Sequence, residues 1–523
     1  MDHQSGGTFD ERREEQRFEL RARFNMKITL LLVTLVVATE AAYNREPGRR
    51  AQLMAAAQES ADLQQQQPQT EAETKSTGPA RPYTPNWDSL DARPLPAWYD
   101  DAKVGIFIHW GVFSVPSFPS EWFWMYWKGK PSPNEQYRKM IDNFMKNNYK
   151  PKFSYQDFAK EFTAEFFNAT LWADIIENAG AKYVILTSKH HEGYALWPSR
   201  YSYSWNSVDV GPHRDIVGEL RKAILKKNNV KFGLYHSLYE WFNPVYMADR
   251  AKNFTTRDFV DNKVYLEMKE LVNTYKPDIF WSDGEEEAPS KYWRSEEFLA
   301  WLYNSSPVKE SVVVNDRWGT GTACKHGGMF TCQDRYNPGS LQNHKWENAM
   351  TIDKTTWGFC RTSNIEDYMT AQDLVDQIAS TIACGGNIVM NVGPAKDGTI
   401  SPIFQDRLYS VGSWLRVNGE AIYGSRPWDT CQNDTLTPNT WYTVDKTGNN
   451  LYVIMLRWPK TGVLQLGCPK LSKSPLVTIL GLPDTPLNLT TTATHLEITL
   501  PNKAVAPTEW GSVLKIANFH LQN

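Results

Sequence analysis

Between Lys103 and Val417 the chain repeatedly hands over from a short apolar run to a polar or aromatic residue, and then to an amphipathic segment. The runs are Lys103–Trp110 (KVGIFIHW), Tyr183–Thr187 (YVILT), Lys231–His236 (KFGLYH), Asp278–Trp281 (DIFW), Ser311–Asn315 (SVVVN) and Gly386–Asn391 (GNIVMN), with a further strand expected at Thr356–Phe359. Strands that are apolar throughout belong to sheets covered on both faces. Helical periodicity falls between them, over Tyr155–Ala179, Asp215–Asn228, Arg257–Tyr275, Trp293–Tyr303, Ala371–Cys384 and Ile403–Val417. About seven strand–helix repeats over roughly 330 residues predict an α/β fold, a (β/α)8-like barrel of the TIM type. A doubly wound sheet is the rival, but no Gly-rich phosphate loop follows the first strand.

The texture changes near Arg426. Trp441–Val444, Leu451–Leu456, Val463–Leu466, Leu476–Leu480, His495–Leu500 and Val513–Ile516 are short, alternating and separated by Gly, Pro and Asn, which predicts a C-terminal β-sandwich domain. The expected organisation is a barrel over 83–425 and a sandwich over 426–523. Upstream lie a mixed-charge extension (1–25), a signal-peptide-like segment (26–41) and a low-complexity leader (42–82). The apolar core of the second, Ile28–Val37, is too short to span a bilayer. Sequons at Asn168, Asn253, Asn304, Asn433 and Asn488 fit the same secretory route, to the lysosome or the exterior. The six cysteines contain no CxxC, and Cys324 with Cys332 is the pair expected to bridge.

A formal net charge of −3, with no basic stripe interleaved with aromatics, excludes a general affinity for nucleic acid. Five strand ends carry chemistry: His109-Trp110, His190-His191-Glu192, Tyr235-His236, Trp281 with Asp283, and Asn315-Asp316-Arg317. Any one of these has an ordinary structural explanation. Five together mark the edge of a barrel where sites are built. There is no HExxH and no GxSxG, so neither a metal nor a serine nucleophile is called for, and no cofactor is expected. What remains is carboxylate chemistry among neutral donors and aromatic walls, the requirement of glycoside hydrolysis. Asp283, at a strand end before Gly284 and the carboxylates Glu285–Glu287, is the natural nucleophile. Its partner is expected downstream, at Asp334 or Glu347.

These residues sit in longer motifs: FIHWG at Phe107–Gly111, SEWFW at Ser120–Trp124, SKHHEG at Ser188–Gly193, GLYHSLYEWFNP at Gly233–Pro244, WSDGE at Trp281–Glu285, VNDRWG at Val314–Gly319 and HKWE at His344–Glu347. From Trp87 to the C-terminus the chain resembles the retaining α-L-fucosidases of the animal tissue or lysosomal type. The resemblance implies hydrolysis of terminal α-L-fucose from glycoproteins, glycolipids or oligosaccharides, so fucosylated glycans are the partners, and homo-oligomerisation is left open. It places the nucleophile on Asp283 and fucose contacts on His109, Glu121, Trp122, His190, His191, Tyr235, Trp281 and Arg317. The acid/base falls on Asp334 first and Glu347 second. One departure is Ala349, where the family signature carries Cys. The rivals are a secreted fucose-binding protein without turnover and a glycosidase for another sugar.

Overall fold

The computed structural model describes residues 82–227, 229–471, 475–482 and 485–519; the charged extension, the signal-like segment and the leader up to residue 81 lie outside the described residues. Seven parallel strands form one sheet: β1 (Val104–Ile108), β2 (Tyr183–Lys189), β3 (Lys231–Ser237), β4 (Ile279–Asp283), β5 (Val313–Val314), β6 (Glu347–Thr351) and β7 (Asn387–Val392). Their order is β5-β4-β3-β2-β1-β7-β6, which leaves β5 and β6 as the edges.

Those edges are joined by an eighth stave. Met329 N–H donates to Val314 O, Phe330 N–H to Lys345 O, and Glu347 N–H to Phe330 O, each at 2.9 Å. The pair 329–330 thus satisfies the backbone on both sides and closes the ring, as a barrel must to abolish its edges.

Every residue of β1, β2, β6 and β7 is buried. Alternate side chains point inward, where Tyr99, Phe107, Tyr183, Ile185, Tyr235 and Trp281 belong to one interior cluster. Gly105 lies opposite Tyr183, and a Cβ there would run into the Tyr183 ring. The glycine therefore makes room for a large inward side chain, as barrel layers demand. Helices cover the outside, each started by a polar cap: Asp215 accepts from Gly218 N–H at 2.9 Å before Ile216–Ile224, and Thr370 opens Ala371–Ala383 with a capping box.

One strand expectation changes. Thr356–Phe359 is a loop, because its backbone N–H groups and the Thr356 hydroxyl turn inward to bond Glu121 rather than a neighbouring strand. The strand falls instead at β6, whose sequence ENAMT hides its periodicity. Glu347 and Ala349 face the barrel interior, while Asn348 faces outward and donates to Gln377 and Thr381 of the covering helix at 3.2 Å each.

The C-terminal part contains a five-stranded sheet, ordered β12-β15-β10-β9-β8, and a three-stranded one, β11-β14-β13. Here β8 is Arg426–Pro427, β9 Thr440–Val444, β10 Asn450–Met455, β11 Val463–Leu466, β12 Leu476–Ile479, β13 Leu489–Thr491, β14 Leu496–Thr499 and β15 Ser512–Ala517. Tyr442, Leu451, Val453, Leu514 and Ile516 join Leu464, Leu466 and Ile498 in the sandwich core. The opposite face of the larger sheet, with Trp441, Tyr452, Ile454 and Val513, belongs to the barrel's own core. Trp414 Nε1 donates across this junction to Gly511 O at 3.0 Å, and Arg457 pairs with Asp376 at 2.7 Å. The cysteines form Cys324–Cys332 and a second bridge, Cys431–Cys468, which ties the sandwich and was not foreseen.

Candidate active site

The strand ends meet in one cleft of about 550 Å³ at the C-terminal mouth of the barrel. Asp283 closes β4, and its carboxylate is held from three sides. Arg317 Nη1 donates to Oδ1 at 3.0 Å and the Tyr235 hydroxyl to Oδ2 at 2.7 Å, while His191 Nε2 stands 3.6 Å from Oδ2. Burial alone would raise this carboxyl. The Arg317 guanidinium, aided by the Tyr235 hydroxyl, overrides burial and holds it well below the usual carboxylate range. Gly284 follows with φ +72°, and a Cβ there would press on Tyr239 and the Ser237 hydroxyl, so glycine lets the chain turn away directly behind the carboxylate.

Arg317 is the hub. Besides Asp283 it donates through Nη2 to Asp334 Oδ1 at 2.6 Å and through Nε to Thr331 Oγ1 at 3.2 Å, with its guanidinium 4.8 Å from the Trp281 ring centroid. One rigid fork thereby holds two carboxylates together. Asp334 reaches this place because its loop is pinned twice. The Cys324–Cys332 disulfide closes it, and buried Asp316 accepts the Cys324 and Cys332 N–H groups at 2.8 and 3.0 Å.

The histidines are oriented by their second nitrogens. Asn391 donates through Nδ2 to Thr351 Oγ1 and Trp357 O at 3.0 and 2.7 Å, so its Oδ1 is the acceptor 2.7 Å from His109 Nδ1. That network assigns the proton to Nδ1 and turns His109 Nε2 toward the cleft. Burial, and then the neighbouring His190, bring the His109 pKa down to about 3. Ser237 Oγ likewise donates to Tyr239 O and faces His191 Nδ1 at 2.7 Å, and burial keeps that ring neutral too. His190 lies between them, 3.4 Å from Glu192 Oε2 and stacked over Tyr235.

Glu121 is buried, and its Oε2 accepts from the Thr356 hydroxyl, Trp357 N–H and Gly358 N–H at 2.6, 3.0 and 3.2 Å. Burial would raise it; the Thr356 hydroxyl and His190 lower it below its ordinary value. Trp122 packs edge-on to His191 and 5.0 Å from Trp241.

Asp283, Asp334 and the eight residues expected to touch fucose all line this cleft. Glu347 does not. It opens β6 inside the barrel, fully buried beneath Trp281, whose Nε1 donates to it at 3.1 Å, with Tyr99 and Tyr183 hydroxyls at 2.7 Å. The cleft also holds groups to which no role was given. Glu285 and Glu286 follow the nucleophile candidate, and burial with the Asp283 charge pushes Glu285 up to about 8. Their adjacency to Asp283 was the available signal. Asn391 could have been found as another polar strand end; Tyr137, from the helix Glu135–Asn148, left none.

Residues 70–420 match the family model described as Alpha-L-fucosidase, and residues 432–517 the Alpha-L-fucosidase C-terminal domain. The chain belongs to the alpha-L-fucosidase family. It is 57% identical to an alpha-L-fucosidase of Branchiostoma floridae over 399 residues, covering 76% of this chain and 87% of that one. It is 53% identical to both the plasma and the tissue alpha-L-fucosidase of Homo sapiens, over 440 and 404 residues; these alignments cover 83% and 77% of this chain and 92% and 84% of the human ones. A crystal structure of the Thermotoga maritima alpha-fucosidase in complex with fucose superposes with a TM-score of 0.71 at 33% identity, covering 83% of this chain and all of that one (100%). Within this family frame, Ala349 is a fully buried member of the barrel interior, in register with Val389.

The sequons are spread over the surface. Asn168, Asn253 and Asn488 are exposed, Asn433 is half-buried beside the Cys431–Cys468 bridge, and Asn304 exchanges two 2.8 Å hydrogen bonds with the Tyr83 backbone.

Proposed function

We propose that this protein removes terminal α-L-fucose from glycoproteins, glycolipids or oligosaccharides by double displacement. Asp283 attacks the anomeric carbon as the bond to the leaving oxygen breaks, giving a fucosyl ester. Asp334, as the general acid, gives a proton to that oxygen. As a carboxylate it then takes a proton from water, the resulting hydroxide displaces Asp283, and fucose leaves with its configuration retained. The observation that carries this reading is the Arg317 fork. It keeps Asp283 ionised and draws Asp334 to the same guanidinium, which favours the close carboxyl spacing of about 5–5.5 Å that retention needs.

Neutral His109 and His191, with His190, Glu121 and Tyr235, are assigned to the sugar hydroxyls, and Trp122 and Trp281 to its apolar face. Glu347 is assigned to holding Trp281 rather than to proton transfer, because it stands outside the cleft. The disulfides and the exposed sequons support a route through the secretory pathway, ending in the lysosome or outside the cell. Among the described residues no helix is long and apolar enough to cross a membrane.

The test is turnover of an aryl α-L-fucoside by wild type, Asp283→Ala and Asp334→Ala, with azide added and the product anomer read by NMR. The expected result is an inactive Asp283→Ala that azide partly rescues. Unchanged turnover by that variant would sink the assignment, and a panel of other aryl glycosides would expose a different sugar preference.

A further inference from the structure

The concave surface does not stop at the fucose cleft. A second groove of about 450 Å³ adjoins it, and Trp122 and Glu286 line both. Trp122 therefore acts as a partition, with the cleft on one side and the groove on the other. The groove's floor is aromatic: Trp241 lies 5.0 Å from Trp122, and half-buried Phe242 is braced by Trp124 at 4.5 Å. Trp241 is buried beneath this floor, while half-buried Trp122 and Phe242 keep ring surface exposed, and such rings beside a sugar site offer flat apolar surface to further sugar rings.

The charges along the groove are segregated. At the cleft end stands Glu286, which the Tyr239 hydroxyl meets at 3.2 Å. On one flank Arg250 and Glu287 neutralise each other at 3.2 Å. At the lip, the segment 128–130 presents two exposed lysines. Lys128 rests its ammonium over the Trp127 ring at 3.7 Å, and among the described residues neither Lys128 nor Lys130 forms an ion pair. The groove thus runs from Glu286, on the loop that follows Asp283, to two exposed cations with no carboxylate at ion-pair distance among the described residues, the Asp142 charge acting on Lys128 only from farther away.

We propose that this groove receives the outer part of the leaving glycan and that Lys128 and Lys130 recognise an anionic group on it, the carboxylate of a sialic acid or a sulfate ester. This deepens the fucosidase reading and rests on it. The aromatic floor carries the intervening sugar, and the lysines supply a salt-sensitive preference for acidic over neutral substrates.

The experiment compares kcat/KM for a neutral fucosylated oligosaccharide, its sialylated counterpart and its sulfated counterpart, using the intact protein. Wild type, Lys128→Ala/Lys130→Ala and the charge-reversed Lys128→Glu/Lys130→Glu are measured at low and high salt. Wild type is expected to favour at least one acidic substrate by about fivefold to tenfold at low salt, with the preference fading as salt rises. The alanine pair should abolish that ratio and the glutamate pair invert it. Whichever acidic arm is favoured names the source of the charge. Equal rates on all three substrates in wild type, or a ratio that survives both variants, would overturn the proposal. Hydrolysis of an aryl α-L-fucoside by wild type is read in parallel. Failure there would strike the fucosidase reading itself, so the two failures are separable.

Discussion

Two carboxylates are set at different depths in this barrel: half-buried Asp283 ends β4 at the mouth, and fully buried Glu347 accepts from the β4 tryptophan, Trp281. Asp283, at the mouth, has a tyrosine hydroxyl, a guanidinium and an open cleft. Glu347, in the interior, has two tyrosine hydroxyls, an indole N–H and no cleft. Burial pushes both carboxyls up. At Asp283 the full charge of Arg317 reverses the shift, whereas at Glu347 neutral donors leave it raised. At these two acids, then, neutral hydrogen-bond donors satisfy the carboxyl, while the opposing charge of Arg317 is what keeps Asp283 ionised and nucleophilic.

The largest expected effect is at the mouth. Asp283→Ala should cut kcat on an aryl fucoside by on the order of 10⁴-fold or more, with a melting temperature close to wild type. Turnover within tenfold of wild type would dissolve the distinction between the two acids.

Next comes the proton donor. Asp334→Asn should cost about 10²–10⁴-fold on a natural glycan, whose leaving oxygen needs protonation, and far less on a nitrophenyl fucoside, whose leaving group departs unaided. A loss independent of the leaving group would move Asp334 from proton transfer to binding.

Arg317→Met tests the charge that separates the two sites, and about 10²-fold in kcat/KM is expected. The pH profile carries the sharper information. The nucleophile must be ionised, and without the guanidinium the Asp283 pKa rises, so the acidic limb of kcat/KM should move to higher pH. An unmoved limb would mean that Arg317 binds sugar without tuning Asp283.

The mouth was more legible in the sequence than the interior, for a physical reason. Strands covered on both faces read as apolar runs, so β1 to β5 and β7 announced themselves, and their polar termini stood out against Val, Ile and Phe. Strand β6 did not, because Glu347 and Asn348 are polar side chains whose partners lie far away in sequence, on β2, β4 and the helix Ala371–Ala383. The stave at 329–330 was invisible for a related reason: two residues have no periodicity, and only the bonds to Val314 and Lys345 make them a strand. The Arg317 fork could be named as a residue but not as a bridge. Its reach to Asp334 depends on Asp316 anchoring the disulfide loop, a contact no local pattern encodes.

The smallest catalytic effect is expected at Glu347, and it sharpens the comparison most. Glu347→Gln keeps the volume and the acceptor oxygen, so stability should fall by about 1–2 kcal/mol and kcat by no more than about threefold. Glu347→Ala should cost more, about 3–5 kcal/mol, because a cavity opens and Tyr99, Tyr183 and Trp281 lose a shared acceptor. The sign of the pH dependence follows from the raised folded pKa. Stability from the protonated form is fully present below the unfolded value and is lost as pH climbs through the folded one. Denaturation of wild type and Glu347→Gln across pH 4–8 should therefore show the difference narrowing as pH rises, since only wild type acquires a buried charge. A hundredfold loss of kcat with unchanged stability would reverse the assignment, making Glu347 the acid/base and leaving Asp334 as a partner that holds Arg317.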